Sequence, residues 1–147
     1  MREKVMGGSF EILAHPADIG FAFRGDTLED AFVQAARALL FMLGGNEALQ
    51  SLRFSRTVSI VLSAPDLLDL LFDWLSEILF FFDSEYLLLG EFSFSSLSEN
   101  ALMAVAKGEV FDAERFETPY YVKAITFHLM ELKQVEGKWN GQVFVDI

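Results

Sequence analysis

YYVKAITFHLMELKQVEGKWNGQVFVDI, residues 120–147, decides how the sheet of this protein must run. Glu136-Gly137 divides it into two strand-like runs, and a two-residue break carrying glycine is the signature of a tight β-hairpin. The spacing therefore predicts antiparallel strands over 120–135 and 138–147. If the turn is two residues long, Val135 pairs with Lys138, and Asp146 then stands opposite Phe127, on the side of Lys123 with His128 on the other. A slip of one residue exchanges Lys123 and His128, so both parities stay open. From Gln142 the strand pattern persists to Ile147, and a terminal carboxylate at the end of a strand is expected to be tied to structure.

Upstream, the hydrophobic period changes twice. Leu28, Ala31, Phe32, Ala35, Leu39 and Met42 follow helical spacing, with Thr27 as N-cap, Asp30 three residues on and Gly44-Gly45 as the stop. Residues 53–62 alternate, setting Phe54, Val58, Ile60 and Leu62 against Ser55, Thr57 and Ser59. A second helix opens at Ala64-Pro65-Asp66 and runs to about Phe82. Its acids Asp66, Asp69, Asp73 and Glu77 share a face, which is either solvated or held for a partner. Strands over about 86–94 and 101–110, joined by a Ser/Glu/Asn turn, precede the hairpin. Together with short strands at 10–13 and 19–24, these elements predict an α+β fold, two helices packed on one face of a largely antiparallel mixed sheet. No fixed-period repeat or linker divides residues 1–147, so a single domain is expected.

Composition excludes several chemistries. The 147 residues contain no cysteine, which removes disulfides, thiolate metal sites and cysteine nucleophiles and agrees with a cytoplasmic location. The most apolar run, 67–82, is interrupted by Asp69, Asp73 and Glu77, unlike a membrane span of about 20 apolar residues. No signal-peptide pattern precedes the first strand. A formal charge of −11 repels phosphate backbones, so direct nucleic-acid binding is not expected. The same surface suits a basic protein partner, or solubility alone.

The chemistry-bearing residues are oxygen donors. Asp18 lies in the loop AHPADIG (residues 14–20), Asp146 is penultimate, and Ile147 adds its α-carboxylate. Such a set suits a hard cation, calcium or magnesium, and a divalent ion would relieve the repulsion among them. Against this stands the simpler reading of Asp18 as a turn former and Asp146 as an exposed residue. His15, beside Pro16, either orients its loop by hydrogen bonding or serves metal or proton, while His128 reads as a satisfied, half-buried strand residue. Lys123 stands between apolar neighbours, where a cation needs a partner, and a carboxylate of the metal site is a candidate. No phosphate loop, dinucleotide fingerprint, nucleophile elbow or H-E-x-x-H motif occurs, which disfavours a stand-alone enzyme.

FEILAHPADIGFAFRGDTLEDAF (10–32), LLDLLFDWLSEILFFFD (67–83), GEVFDAERFE (108–117), VKAITFH (122–128) and the terminal VDI occur in an order that resembles the archease family. The resemblance implies a compact α/β fold and a divalent ion, described as calcium with magnesium the alternative, held by Asp18, Asp146 and Ile147. It implies an accessory role in which the protein promotes guanylylation and repeated turnover of the GTP-dependent tRNA-splicing RNA ligase, its protein partner. Lys123 matches the family's Lys in K-A-x-T-x-H and becomes a further functional candidate. Alternatives are a chaperone-like modulator of other nucleic-acid-processing enzymes, such as tRNA methyltransferases, or a small metal-dependent phosphohydrolase. Pro16, Ser76 and Phe116 depart from the family pattern, standing where Thr, Asn and His are common.

Overall fold

The computed structural model describes residues 2–5, 7–14 and 17–147, with side chains from Gly7 onward. His15 and Pro16, and the expectations placed on them, lie outside the described residues. Strands β1 (Arg2–Val5), β2 (Gly8–Ala14) and β3 (Ile19–Gly25) form an antiparallel meander that leads into helix α1, Leu28–Ser51. The cap of α1 is the expected one, with the Asp30 amide donating to the Thr27 hydroxyl at 3.0 Å.

The expected stop at Gly44-Gly45 is a break within the helix. Gly45 has φ 75°, a left-handed conformation natural to glycine, and one and a half helical turns follow it to Ser51. A break leaves carbonyls without their helical partners. Those of Met42 and Leu43 are taken up from outside, by the Tyr120 amide at 3.1 Å and the Thr118 hydroxyl at 2.8 Å. At the far end of α1, Arg115 donates to the Ser51 carbonyl at 2.7 Å while its other arm meets the buried Glu109 carboxylate at 2.6 Å. The last turn has no basic residue of its own, so this loop cation meets the negative end of the helix dipole.

Strand β4 (Arg56–Ser63) leads into α2 (Leu67–Glu85), and β5 (Leu87–Leu97) and β6 (Ala101–Val110) follow. Asp66, one of the four acids of the α2 face, caps that helix through the Asp69 amide at 2.9 Å. Trp74 of α2 is fully buried, packs on Phe92 and Phe94, and donates its indole N–H to the Phe32 carbonyl of α1 at 3.0 Å. That bond lets a polar ring lie in the core at little cost.

The α+β class is as expected, but the strands divide between two sheets and every pairing is antiparallel. One sheet has the order β1-β2-β3-β9-β7, where β7 is Ala124–Ile125 and β9 is Lys138–Asp146; β8 (Glu131–Val135) also pairs with β9. The other has the order β4-β6-β5. Helix α1 contacts β2, β3 and β9 of the first sheet and β5 of the second. Ala31, Ala35, Ala36 and Ala38 are completely buried around it beside Phe32, Leu39 and Met42. A helix buried on more than one side serves two layers, which a single stripe of large residues did not reveal.

Candidate metal-binding site

The hairpin forms as predicted. Glu136 and Gly137 are both left-handed, at φ 53° and 81°, and Val135 pairs with Lys138. The ladder holds to Glu131 opposite Gln142, then the chain leaves it: the Met130 amide closes a turn on the Phe127 carbonyl, and Leu129 takes φ 52°. When pairing resumes, Ile125 stands opposite Val145 and Ala124 opposite Asp146. The expectation that 120–135 is one strand, with Asp146 opposite Phe127, is therefore corrected. The excursion displaces the register by an odd number of residues, and odd displacements exchange the two faces.

On its other side β9 pairs with β3, ending at Ile19 opposite Val145. Asp18 and Asp146 are the next residues in that register, so strands far apart in sequence bring the two acids to one end of the sheet. Phe21 and Phe23, paired with Val143 and Gly141, line the core side. The alternate residues Gly20 and Ala22, paired with Phe144 and Gln142, line the outer side, and Asp146 belongs to that set.

His128 reaches this end from the excursion. Its Nε2 lies 3.3 Å from Asp18 Oδ1, and its ring meets Phe144 edge-on at 6.0 Å. The pair is open to solvent, the His128 side chain being 58% and that of Asp18 36% exposed. The expectation that His128 is a satisfied, half-buried strand residue is corrected, since it stands exposed in a turn; the signal in the sequence is the parity, which turns on the length of the excursion. Lys123 is not beside the Asp146 side chain as the simple hairpin required. Its amide donates to the Asp146 carbonyl at 2.7 Å, its side chain is exposed, and it forms no ion pair with a described residue. Being hydrated, the ammonium needs no neutralising partner.

The donor chemistry fits a hard divalent ion. Asp18 and Asp146 each lie one residue beyond the last β3–β9 pair, Ile19 and Val145, and Ile147 follows with its terminal carboxylate, its residue 52% exposed. Among the described residues no three His, Asp or Glu side chains form a metal cluster by themselves. Asp18 and Asp146 would hold the ion with the Ile147 carboxylate.

Farther along the same outer face is a hollow of 260 Å³ lined by residues including Ser9, Glu11, Arg24, Glu131, Lys133 and Gln142. Helix α2 meets the excursion where Phe72 stacks on Phe127 at 4.0 Å. On that helix the Asp73 carboxyl is pushed above its ordinary value, first by burial and then by the Asp69 charge. Phe116 is buried against Phe111, with the Arg115 guanidinium 4.5 Å over its ring. The departure at this position is thus a core aromatic.

A small α+β protein with helices between antiparallel sheets, carrying two acids and a histidine toward one sheet end, is the class these observations define. The chain belongs to the Archease protein family (MTH1598/TM1083), whose model matches residues 10–147. It is 33% identical over 145 residues to the protein archease of Methanosarcina mazei, covering 96% of this chain and 97% of that one. The solution structure of Methanobacterium thermoautotrophicum protein 1598 is similar at 32% identity and a TM-score of 0.71, covering 94% of this chain and 98% of that chain. A Thermotoga maritima structure described as an archease, possible chaperone, shares the fold at a TM-score of 0.60 and 16% identity, with 93% and 96% of the two chains covered.

Proposed function

We propose that this protein is a metal-dependent accessory factor of the GTP-dependent tRNA-splicing RNA ligase, acting in the cytoplasm to promote ligase guanylylation and repeated turnover. The observation that supports this reading best is the register that carries β3 and β9 together as far as Ile19 opposite Val145, with Asp18 and Asp146 the residues next to that last pair. Family membership makes an accessory role the natural frame for that site. The ligase supplies the covalent chemistry. This chain contributes a negatively charged sheet end whose carboxylates bind and orient, with calcium the preferred ion and magnesium the alternative. When bound, the ion supplies positive charge that offsets the anionic groups of nucleotide transfer.

Lys123, exposed next to this end, is proposed as a functional cation that faces the partner. The net charge of −11 disfavours competition for RNA and favours association with a basic enzyme. No helix among the described residues is long and apolar enough to cross a membrane.

The test is ligase guanylylation rate and turnover number, measured with and without this protein in the presence of calcium. Wild type should raise both. Asp18→Ala and Asp146→Ala should each abolish the stimulation while keeping the circular dichroism of wild type. Unchanged ligase kinetics with metal-loaded wild type would sink the proposal. The description of the Thermotoga protein as a possible chaperone favours a second reading, a chaperone-like modulator of other nucleic-acid-processing enzymes. Recovery of a tRNA methyltransferase and no ligase in a pull-down would select it.

A further inference from the structure

We infer that His128 is a positioning residue of the candidate metal site, holding the Asp18 carboxylate through Nε2; this role rests on the metal-binding reading of Asp18 and Asp146. The carrying observation is how much local structure is given over to presenting one imidazole. A regular hairpin from Val135 would continue through 127–130, burying its backbone groups in the ladder. Here the ladder is abandoned after Glu131 and recovered at Thr126, whose amide donates to the Phe144 carbonyl at 3.1 Å before Ile125 pairs with Val145. Leu129 sits at φ 52°, where a side chain with a Cβ is disfavoured.

Specific contacts fix the detour. The Thr126 hydroxyl donates to the Phe144 carbonyl at 2.8 Å and accepts from the His128 amide at 3.2 Å. Gln142 Nε2 donates to the Leu129 carbonyl at 2.8 Å, and Phe127 is stacked on Phe72 of α2. Thus Phe127 is anchored to the helix while His128 lies over Phe144, its Nε2 3.3 Å from Asp18 Oδ1.

A carboxylate has two oxygens, and an imidazole that stands against one, as His128 does against Asp18 Oδ1, leaves the other for a cation. Side chains that hold a metal-binding carboxylate in this way raise affinity by about 10- to 100-fold, because the ligand is oriented before the ion arrives. His128 alone among the described histidines, lysines and arginines is within 4.0 Å of the Asp18 carboxylate.

The test is calorimetric titration of the full chain with calcium chloride at pH 8. His128→Ala should weaken calcium binding by about tenfold. His128→Gln, whose amide N–H can still donate to Asp18, should recover most of that loss, and Asp146→Ala should remove binding. Equal affinity of wild type and His128→Ala overturns the positioning role and leaves the metal reading intact. So does a His128→Gln variant as weak as His128→Ala while both melt like wild type. Wild type that takes up no calcium overturns both together.

Discussion

Gly45 shows how a single residue links the helix to the loop that leads to the site. Its φ of 75° is left-handed, and a Cβ there would stand 2.9 Å from the Glu117 carbonyl oxygen. Gly45→Ala should therefore lower stability by about 1–2 kcal/mol, from the left-handed backbone and the close approach together. Urea denaturation checks it, and an unchanged midpoint would show that the break relaxes freely. The neighbouring bonds from Thr118 and Tyr120 to Leu43 and Met42 place the chain just before β7, so misplacement here should also lower calcium affinity. At this scale the candidate site is legible as a set of oxygen donors, Asp18, Asp146 and Ile147, marked by residue type and position. His128 is not, because its side of the sheet depends on the length of an excursion stabilised by Thr126, Gln142 and Phe72, and such tertiary bonds leave no periodic trace.

Helix α2 is an element with a built-in tension. Its capping acid Asp66 is favourable where it stands, since the helix N-terminus welcomes negative charge. Asp73, a turn and more inside, has no such help: burial and the Asp69 charge raise its carboxyl above the ordinary 3.8. A carboxyl raised on folding contributes stability that is fully present below the unfolded value and is lost as pH rises through the folded one. At neutral pH the ionised group therefore weakens the fold. Asp73→Asn should stabilise the protein at pH 7 by a few tenths of a kcal/mol, about the repulsion of a like-charged pair four apart on a helix. The gain over wild type should vanish below pH 3.8. Urea midpoints of the two proteins across that range test it, and a gain that grows on acidification would refute the assignment. Elements themselves were largely readable, with Thr27 and Asp66 marking helix starts and Glu136-Gly137 the hairpin. What periodicity missed was partnership: β4 alternates as a half-buried strand must, yet nothing in that pattern says it joins β6 in a separate sheet.

At the scale of the molecule, α1 is the common wall of both sheets, so neither sheet has a complete core without it. Loss of either should expose Ala31, Ala35, Leu39 and their neighbours at once, and the expected single domain then unfolds as one unit. The two tryptophans report on different parts of the structure. Trp74 lies among Phe32, Phe92 and Phe94 beside the three-stranded sheet, whereas Trp139 belongs to β9 of the larger one. A Trp139→Phe variant leaves only the first reporter and Trp74→Phe only the second, although the latter is expected to be the less stable because it removes the bond to the Phe32 carbonyl. Each variant's fluorescence transition in urea should coincide with its own far-ultraviolet circular dichroism transition. A fluorescence midpoint for either variant that differs from its dichroism midpoint would mean that one sheet can melt while the other stands. Coincidence in both would mean that the acids at the sheet end, the excursion carrying His128 and the break at Gly45 are held by one cooperative structure, so substitutions in the distant core should weaken metal affinity only by unfolding the whole.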